Sequence, residues 1–177
     1  MSEERPVAKP VNESRVEMSY RMLPHDANPA GNVHGGVVMK LLDSTAAVVA
    51  MRHARQNVVT VSVDRLTFLK PVFVGELLTM SASLNMVGRT SMEVGVRVTA
   101  ENLVTGVVRH TNSAYLSFVA MGPDGKPTEV PELILETDED RRRNREARLR
   151  RELRLKEREM EEASQRQARA GVTQSSL

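Results

Sequence analysis

Asp43 is the residue that most invites a chemical reading. It stands among Val37, Val38, Met39, Leu41, Leu42, Ala46, Ala47, Val48 and Val49, where a carboxylate is costly to desolvate unless it has a partner or a task. Upstream, His34-Gly35-Gly36 opens the same segment. Glycines let a ligand approach the backbone, and a helix start leaves N–H groups free to meet an oxygen that gains negative charge. Such donors, with a carboxylate nearby to activate water or to attack, are the parts that acyl transfer needs. Each element also has a plain structural alternative. Asp43 could face a subunit contact or bond a backbone group, His34-Gly35-Gly36 could be a tight turn before an ordinary helix, and Asn28 could cap a turn through its side chain.

These residues must be positioned by the elements around them. The segment 37–55 is apolar on nearly every side and ends in Arg52, His53 and Arg55, which complement a helix dipole; it predicts a central buried helix. Before it, residues 14–22 alternate Val16, Met18, Tyr20 and Met22 with polar partners, the pattern of a half-buried strand. The loop 23–36 between them is rich in Pro, Gly, Asn and Asp. Four further strand-like runs follow at 58–69, 77–87, 91–101 and 107–121, with Met92, Val94, Val96 and Val98 alternating cleanly. Their spacing predicts an antiparallel meander, and the whole an α+β fold in which a curved sheet wraps one helix. Residues 1–13 read as a flexible arm and 14–130 as the folded domain. Residues 131–177 read as a connector, a solvated helix over 138–163 and a disordered tail over 171–177.

The length of 177 residues suits one domain, and 40% apolar content is enough for its core. A formal charge of +2 does not argue for nucleic acid, because glutamates interleave with the arginine run Arg141 to Arg143. With no cysteine there is no disulfide framework and no thiolate nucleophile. His25, His34, His53 and His110 lack metal-ligand spacing, so no metal and no resident cofactor are expected. The polar N-terminus lacks a secretory h-region, and no apolar stretch is long enough to span a bilayer. A cytoplasmic protein without membrane insertion is the resulting expectation.

The stretch 26–43, DANPAGNVHGGVVMKLLD, closely resembles the loop and helix start of the acyl-CoA hydrolase branch of the hotdog thioesterases, which includes brain acyl-CoA hydrolase and the YciA-type bacterial enzymes. Residues 59–76, VTVSVDRLTFLKPVFVGE, look like the strand and turn that follow in that family. The resemblance covers about residues 14–120 and implies a hotdog fold. It also implies Asp43 as general base or nucleophile, Asn28 facing it from a second subunit, and Gly36 offering its backbone N–H to the thioester oxygen. His34 and Gly35 would shape that bend, and Thr60 would sit at the mouth of the site, although a β-branched strand residue is an equal reading. Arg89 and Ser91, in the turn 88–91, would meet the nucleotide of CoA, although an exposed turn arginine is more often simply solvated. The substrate class is then acyl-CoA, and the assembly a homodimer, extended to a trimer of dimers.

Two other readings compete. A hydratase or dehydratase of the same fold needs a histidine and an acid placed for proton transfer at carbon, whereas the histidines read as lying off the helix. A non-catalytic acyl-CoA-binding regulator would keep the groove without needing Asp43.

Overall fold

The computed structural model describes residues 6–174. The chain enters through a two-residue strand β1 (Lys9–Pro10), a single helical turn α1 (Val11–Ser14) and strand β2 (Val16–Arg21). Helix α2 (Gly35–Ala54) then leads into β3 (Asn57–Phe68), β4 (Leu77–Val87), β5 (Ser91–Glu101) and β6 (Val108–Met121). Strand β7 (Leu133–Ile134) and helix α3 (Asp138–Gln174) complete the order. The α+β arrangement of one helix on one antiparallel sheet is therefore present, but the strands do not form a single meander. The spatial order is β2-β4-β5-β6-β3. Only β4, β5 and β6 pair in sequence, while β3 lies at the far edge against β6. The loop after β3 makes this crossover by passing back beneath the start of α2, where Val33 N–H donates to Val72 O at 2.8 Å and Met22 N–H to Glu76 O at 2.9 Å.

The inner face of the sheet is built by period-2 alternation: Leu78, Met80, Val94, Val96, Leu116 and Phe118 are all buried. Against them α2 sets Val38, Leu42, Ala46, Val49 and Ala50, spaced at three and four residues. The helix is nonetheless not enclosed on all sides as its composition suggests. Met39 and Met51 remain 46% and 45% exposed. The sheet covers one face of α2 and leaves an apolar strip open on the other. Edge strand β3 carries Val59, Val61 and Val63 exposed beside it, with Val61 at 63%. A helix face and a neighbouring sheet edge that are both apolar and uncovered ask for a partner.

Both ends of the chain are better fastened than their composition predicts. Residues 1–5 lie outside those described, but the expected arm is anchored from Lys9 onward. β1 pairs parallel with β7, Lys9 Nζ donates to His53 O at 2.9 Å, and Val11 is buried. The charged helix α3 is not a freely solvated rod along its first turns. Asp140, Asn144 and Ala147 pack on the outer face of the sheet, and Arg150 and Arg154 reach Glu93, which is 0% exposed. A sheet face that carries a carboxylate here is covered by the helix that neutralises it. α3 also runs to Gln174, into the expected tail, of which residues 175–177 fall outside those described. No helix among the described residues is long and apolar enough to cross a membrane.

Candidate active site

Asp43 projects from the middle of α2 toward the edge strand, half-buried, and Thr60 Oγ1 on β3 donates to its Oδ1 at 2.8 Å. A bulge between Thr60 and Ser62 makes this contact possible. Thr60 pairs with Phe118 and Ser62 with Ser117, so the extra residue re-aims the strand at that point. Thr60 thereby fixes one carboxylate oxygen, and the other has no hydrogen-bond partner among the described residues. The carboxylate is neither stranded in the core nor tied to the backbone; it stands at the boundary between the uncovered helix face and the open strand edge.

The loop before α2 is shaped by its own polar side chains. Asn28 Oδ1 accepts from the N–H groups of Ala30 (2.9 Å) and Asn32 (3.2 Å), so within one protomer Asn28 does cap a turn. His34 is the N-cap of α2: its Nδ1 accepts from Gly36 N–H at 2.9 Å. The Gly36 amide is therefore engaged rather than free, while Gly35 N–H has no acceptor among the described residues. Both glycines answer to close neighbours. A Cβ at Gly35 would stand 3.3 Å from Phe68 Cζ, and one at Gly36 would stand 3.0 Å from the His34 ring nitrogen. His34→Ala is expected to lower unfolding stability by about 1 kcal/mol, the usual worth of an N-cap, as a shift in urea midpoint at constant slope. An unchanged midpoint would mean that the ring does not hold the helix start.

One part of the expected picture is corrected by helix geometry. Positions 36 and 43 lie two turns apart, about 10 Å along the axis, so the Gly36 amide and Asp43 of one chain do not converge on one carbonyl. Nor does Asn28 bond Asp43 within the chain; its oxygen is spent on its own loop. Asp43 and Thr60 form one half of a site, and Asn28, His34, Gly35 and Gly36 form another at the far end of the helix. Arg89 and Ser91 occupy the β4–β5 turn. Met92 and Thr60 are both register partners of Phe118, which places that turn at the Thr60 end of the sheet, two strands away or roughly 10 Å. Arg89 is 81% exposed and pairs with Glu129 at 3.7 Å.

Phe68, Glu76 and Arg109 also support the site and were not singled out from the sequence. Phe68 seats Gly35, and Arg109 clamps Glu76 (2.7 Å) while reaching Pro71 O (3.1 Å), fixing the loop that underlies the start of α2. Burial pushes the Glu76 carboxyl up, but hydrogen bonds from Arg109 and Phe73 N–H outweigh it and hold the group below its ordinary value. A glutamate after a glycine turn and an arginine on a strand 33 residues later give no local sign of pairing.

Among the described residues no histidine bonds Asp43. His53 lies on α2 itself rather than off it, buried at the C-terminal end with Nε2 bonded to Pro131 O at 2.9 Å; desolvation lowers its pKa. His110 bonds Asn112 O and Ser113 Oγ, and His25 lies beside Asp26. Among the described residues no group of three or more His, Asp or Glu side chains is placed to hold a metal ion.

The chain is similar in sequence and in fold to known proteins. The sequence model of the thioesterase superfamily matches residues 30–107. Protein VdlD of Helicobacter pylori is 42% identical over 81% of this chain and 82% of its own. The Bacillus subtilis protein YkhA, named an uncharacterized acyl-CoA thioester hydrolase, is 36% identical over 77% and 80%. Among solved structures, an apo-hexameric acyl-CoA thioesterase superposes with a TM-score of 0.83 at 39% identity, covering 86% of this chain and 97% of that one. An acyl-CoA hydrolase of Staphylococcus aureus in complex with butyryl-CoA and CoA superposes at 0.82 and 32% identity, covering 89% and 96%. That enzyme has also been solved as Asp43Ala, Asn28Ala and Thr60Ala mutants, numbered in its own chain.

Proposed function

This chain belongs to the thioesterase superfamily, and from that premise we propose a site built by two subunits, with Asp43 of one facing Asn28 and the start of α2 of the other. The enzyme is an acyl-CoA thioester hydrolase. The observation that carries the reading is the Thr60–Asp43 pair at 2.8 Å, set where the uncovered face of α2 meets an unpaired strand edge.

The edge strand supplies the symmetry. If β3 pairs antiparallel with β3 of a second copy over its full length, Asn57 of each chain lies opposite Phe68 of the other. Phe68 seats Gly35, so this pairing carries the partner's helix start toward the Asn57 to Thr60 end, where Asp43 waits. Each dimer then holds two equivalent sites. The hexameric state of related enzymes supports a trimer of such dimers. The reaction proposed here calls on no cofactor beyond the CoA that the substrate brings, and a cytoplasmic location fits a substrate met in water.

In the reaction, the thioester carbonyl takes its place at the partner's helix start. Gly35 N–H is the donor without a competing acceptor, and Gly36 N–H joins it when the exposed His34 ring turns away. Asp43 either removes a proton from water as that water attacks the carbonyl carbon, or attacks the carbon itself to give a mixed anhydride that water then opens. Both routes release CoA and a carboxylic acid. Asn28 orients the acyl group or the water, and Thr60 keeps the Asp43 carboxylate turned toward the carbon.

Complementation tests the two-subunit site. Asp43→Asn and Asn28→Ala are each expected to be nearly inactive, yet co-expressed together they should recover about a quarter of wild-type activity, because half the dimers are mixed and half of their sites are intact. No recovery in a verified mixed oligomer would place both residues in one chain's site and defeat the proposal.

A further inference from the structure

We propose that α3 carries the second half of the receptor for the nucleotide of the acyl-CoA, with Arg148 and Arg151 joining Arg89 around the 88–91 turn to hold its phosphates. The inference rests on the thioesterase reading above and assigns α3 a task within it.

The turn and the helix face each other closely. Gly88 N–H donates to Ser91 O at 2.7 Å, and a Cβ at Gly88 would stand 2.8 Å from Ser91 Oγ and 3.7 Å from Arg151 Nη2. Glycine at that position leaves room for the hydroxyl and the guanidinium on the same side. Between turn and helix lies a cleft of about 650 Å³, to which Gly88, Arg89 and Arg148 contribute. Arg148 is held rather than loose. The buried Asn144 donates from Nδ2 to Asn85 O at 2.8 Å, and its Oδ1 accepts from Arg148 Nε at 3.0 Å. The remaining guanidinium N–H groups keep the planar fork that suits phosphate.

Position and the lack of a counter-ion together mark these two arginines: Arg145 and Lys156 also have no carboxylate partner among the described residues, but neither lines the cleft nor stands against Gly88. Arg141, Arg142, Arg143, Arg150, Arg154 and Arg158 each have a carboxylate partner. Arg148 and Arg151, three residues apart on one face, have none among the described residues. Arg89 is balanced only by the exposed Glu129 at 3.7 Å, a contact that a phosphate can replace. Val87, Val130, Leu133 and Leu135 give the cleft an apolar part suited to a purine ring, although Glu129 and Glu132 border it as well. The turn stands at the end of the sheet where Thr60 meets Asp43, so one extended substrate can engage both.

Steady-state kinetics on the full-length enzyme at fixed ionic strength test this with two substrates, an acyl-CoA and the matching S-acyl pantetheine, which lacks the nucleotide. Arg148→Ala/Arg151→Ala is expected to raise KM for acyl-CoA about tenfold with kcat unchanged, as loss of charge-assisted phosphate contacts requires. Inhibition by adenosine 3′,5′-bisphosphate should weaken by a similar factor, and KM for the pantetheine thioester should not move. Arg145→Ala, an arginine of the same helix that does not line the cleft, is the control for general charge. An unchanged KM for acyl-CoA, an equal rise with both substrates, or an equal rise in Arg145→Ala overturns the assignment. If the wild-type enzyme hydrolyses neither thioester, the thioesterase reading itself has failed, and this inference falls with it.

Discussion

Asp43→Asn is expected to lower turnover of acyl-CoA by about a thousandfold, within the range that a positioned general base contributes. The substitution is nearly isosteric and keeps an oxygen that can accept from Thr60 Oγ1, the 2.8 Å contact that orients the side chain. What it removes is the negative charge and the basic lone pair. Because Asp43 lies half-buried beside the uncovered helix face, its loss leaves no buried partner stranded, and folding and assembly should be unaffected. Thiol release trapped by a dye measures turnover; circular dichroism and gel filtration check fold and assembly. Turnover above a tenth of wild type would remove Asp43 from the chemistry, while a collapsed oligomer would show that its role is structural.

The largest effect on stability is expected at the Glu76–Arg109 pair. Glu76 has only 5% of its side chain exposed and accepts two hydrogen bonds from Arg109, at 2.7 and 2.9 Å, and one from Phe73 N–H. Arg109→Ala abandons that carboxylate without its counter-ion and should cost about 3–5 kcal/mol, the usual range for breaking a buried pair from one side. Arg109→Met with Glu76→Gln should cost less, because neither charge is left alone. The pH dependence follows from the depressed Glu76 pKa. The folded state binds that proton more weakly than the unfolded chain, so the stabilisation is complete above the ordinary carboxylate pKa and is lost as acid protonates the folded group. Urea midpoints from neutral pH down into that acid range measure it. An Arg109→Ala midpoint equal to wild type at neutral pH would show the clamp to be ornamental.

Strand positions were legible because alternation is a local property: 77–87 and 91–101 coincide with β4 and β5. Strand order was not, since period-2 patterning tells which way a side chain points and not which strand lies beside it. The same limit applies to Glu93. Its place between Met92 and Val94 marks it as outward-facing, and outward would ordinarily mean wet. Only the docking of α3, with Arg150 and Arg154 far along the chain, makes it a buried ion. In the site, Asp43 stood out as a lone carboxylate in an apolar run, and Thr60 proved to be its partner. The His34 cap was not apparent, because histidine is outside the usual set of N-cap residues and acts here through a ring nitrogen. The distance between Gly36 and Asp43 could have been read directly from helical rise.

The bare edge of β3 has a bearing on how the protein behaves in a test tube. Over its twelve residues one side is paired with β6 and the other is left without a strand among the described residues, beside exposed valines, a template that another chain will occupy in one register or another. Dilution therefore removes more than a neighbour. As the association equilibrium is drawn toward separate chains, the melting temperature should fall with total concentration, and ill-matched strands should begin to collect where matched ones are scarce.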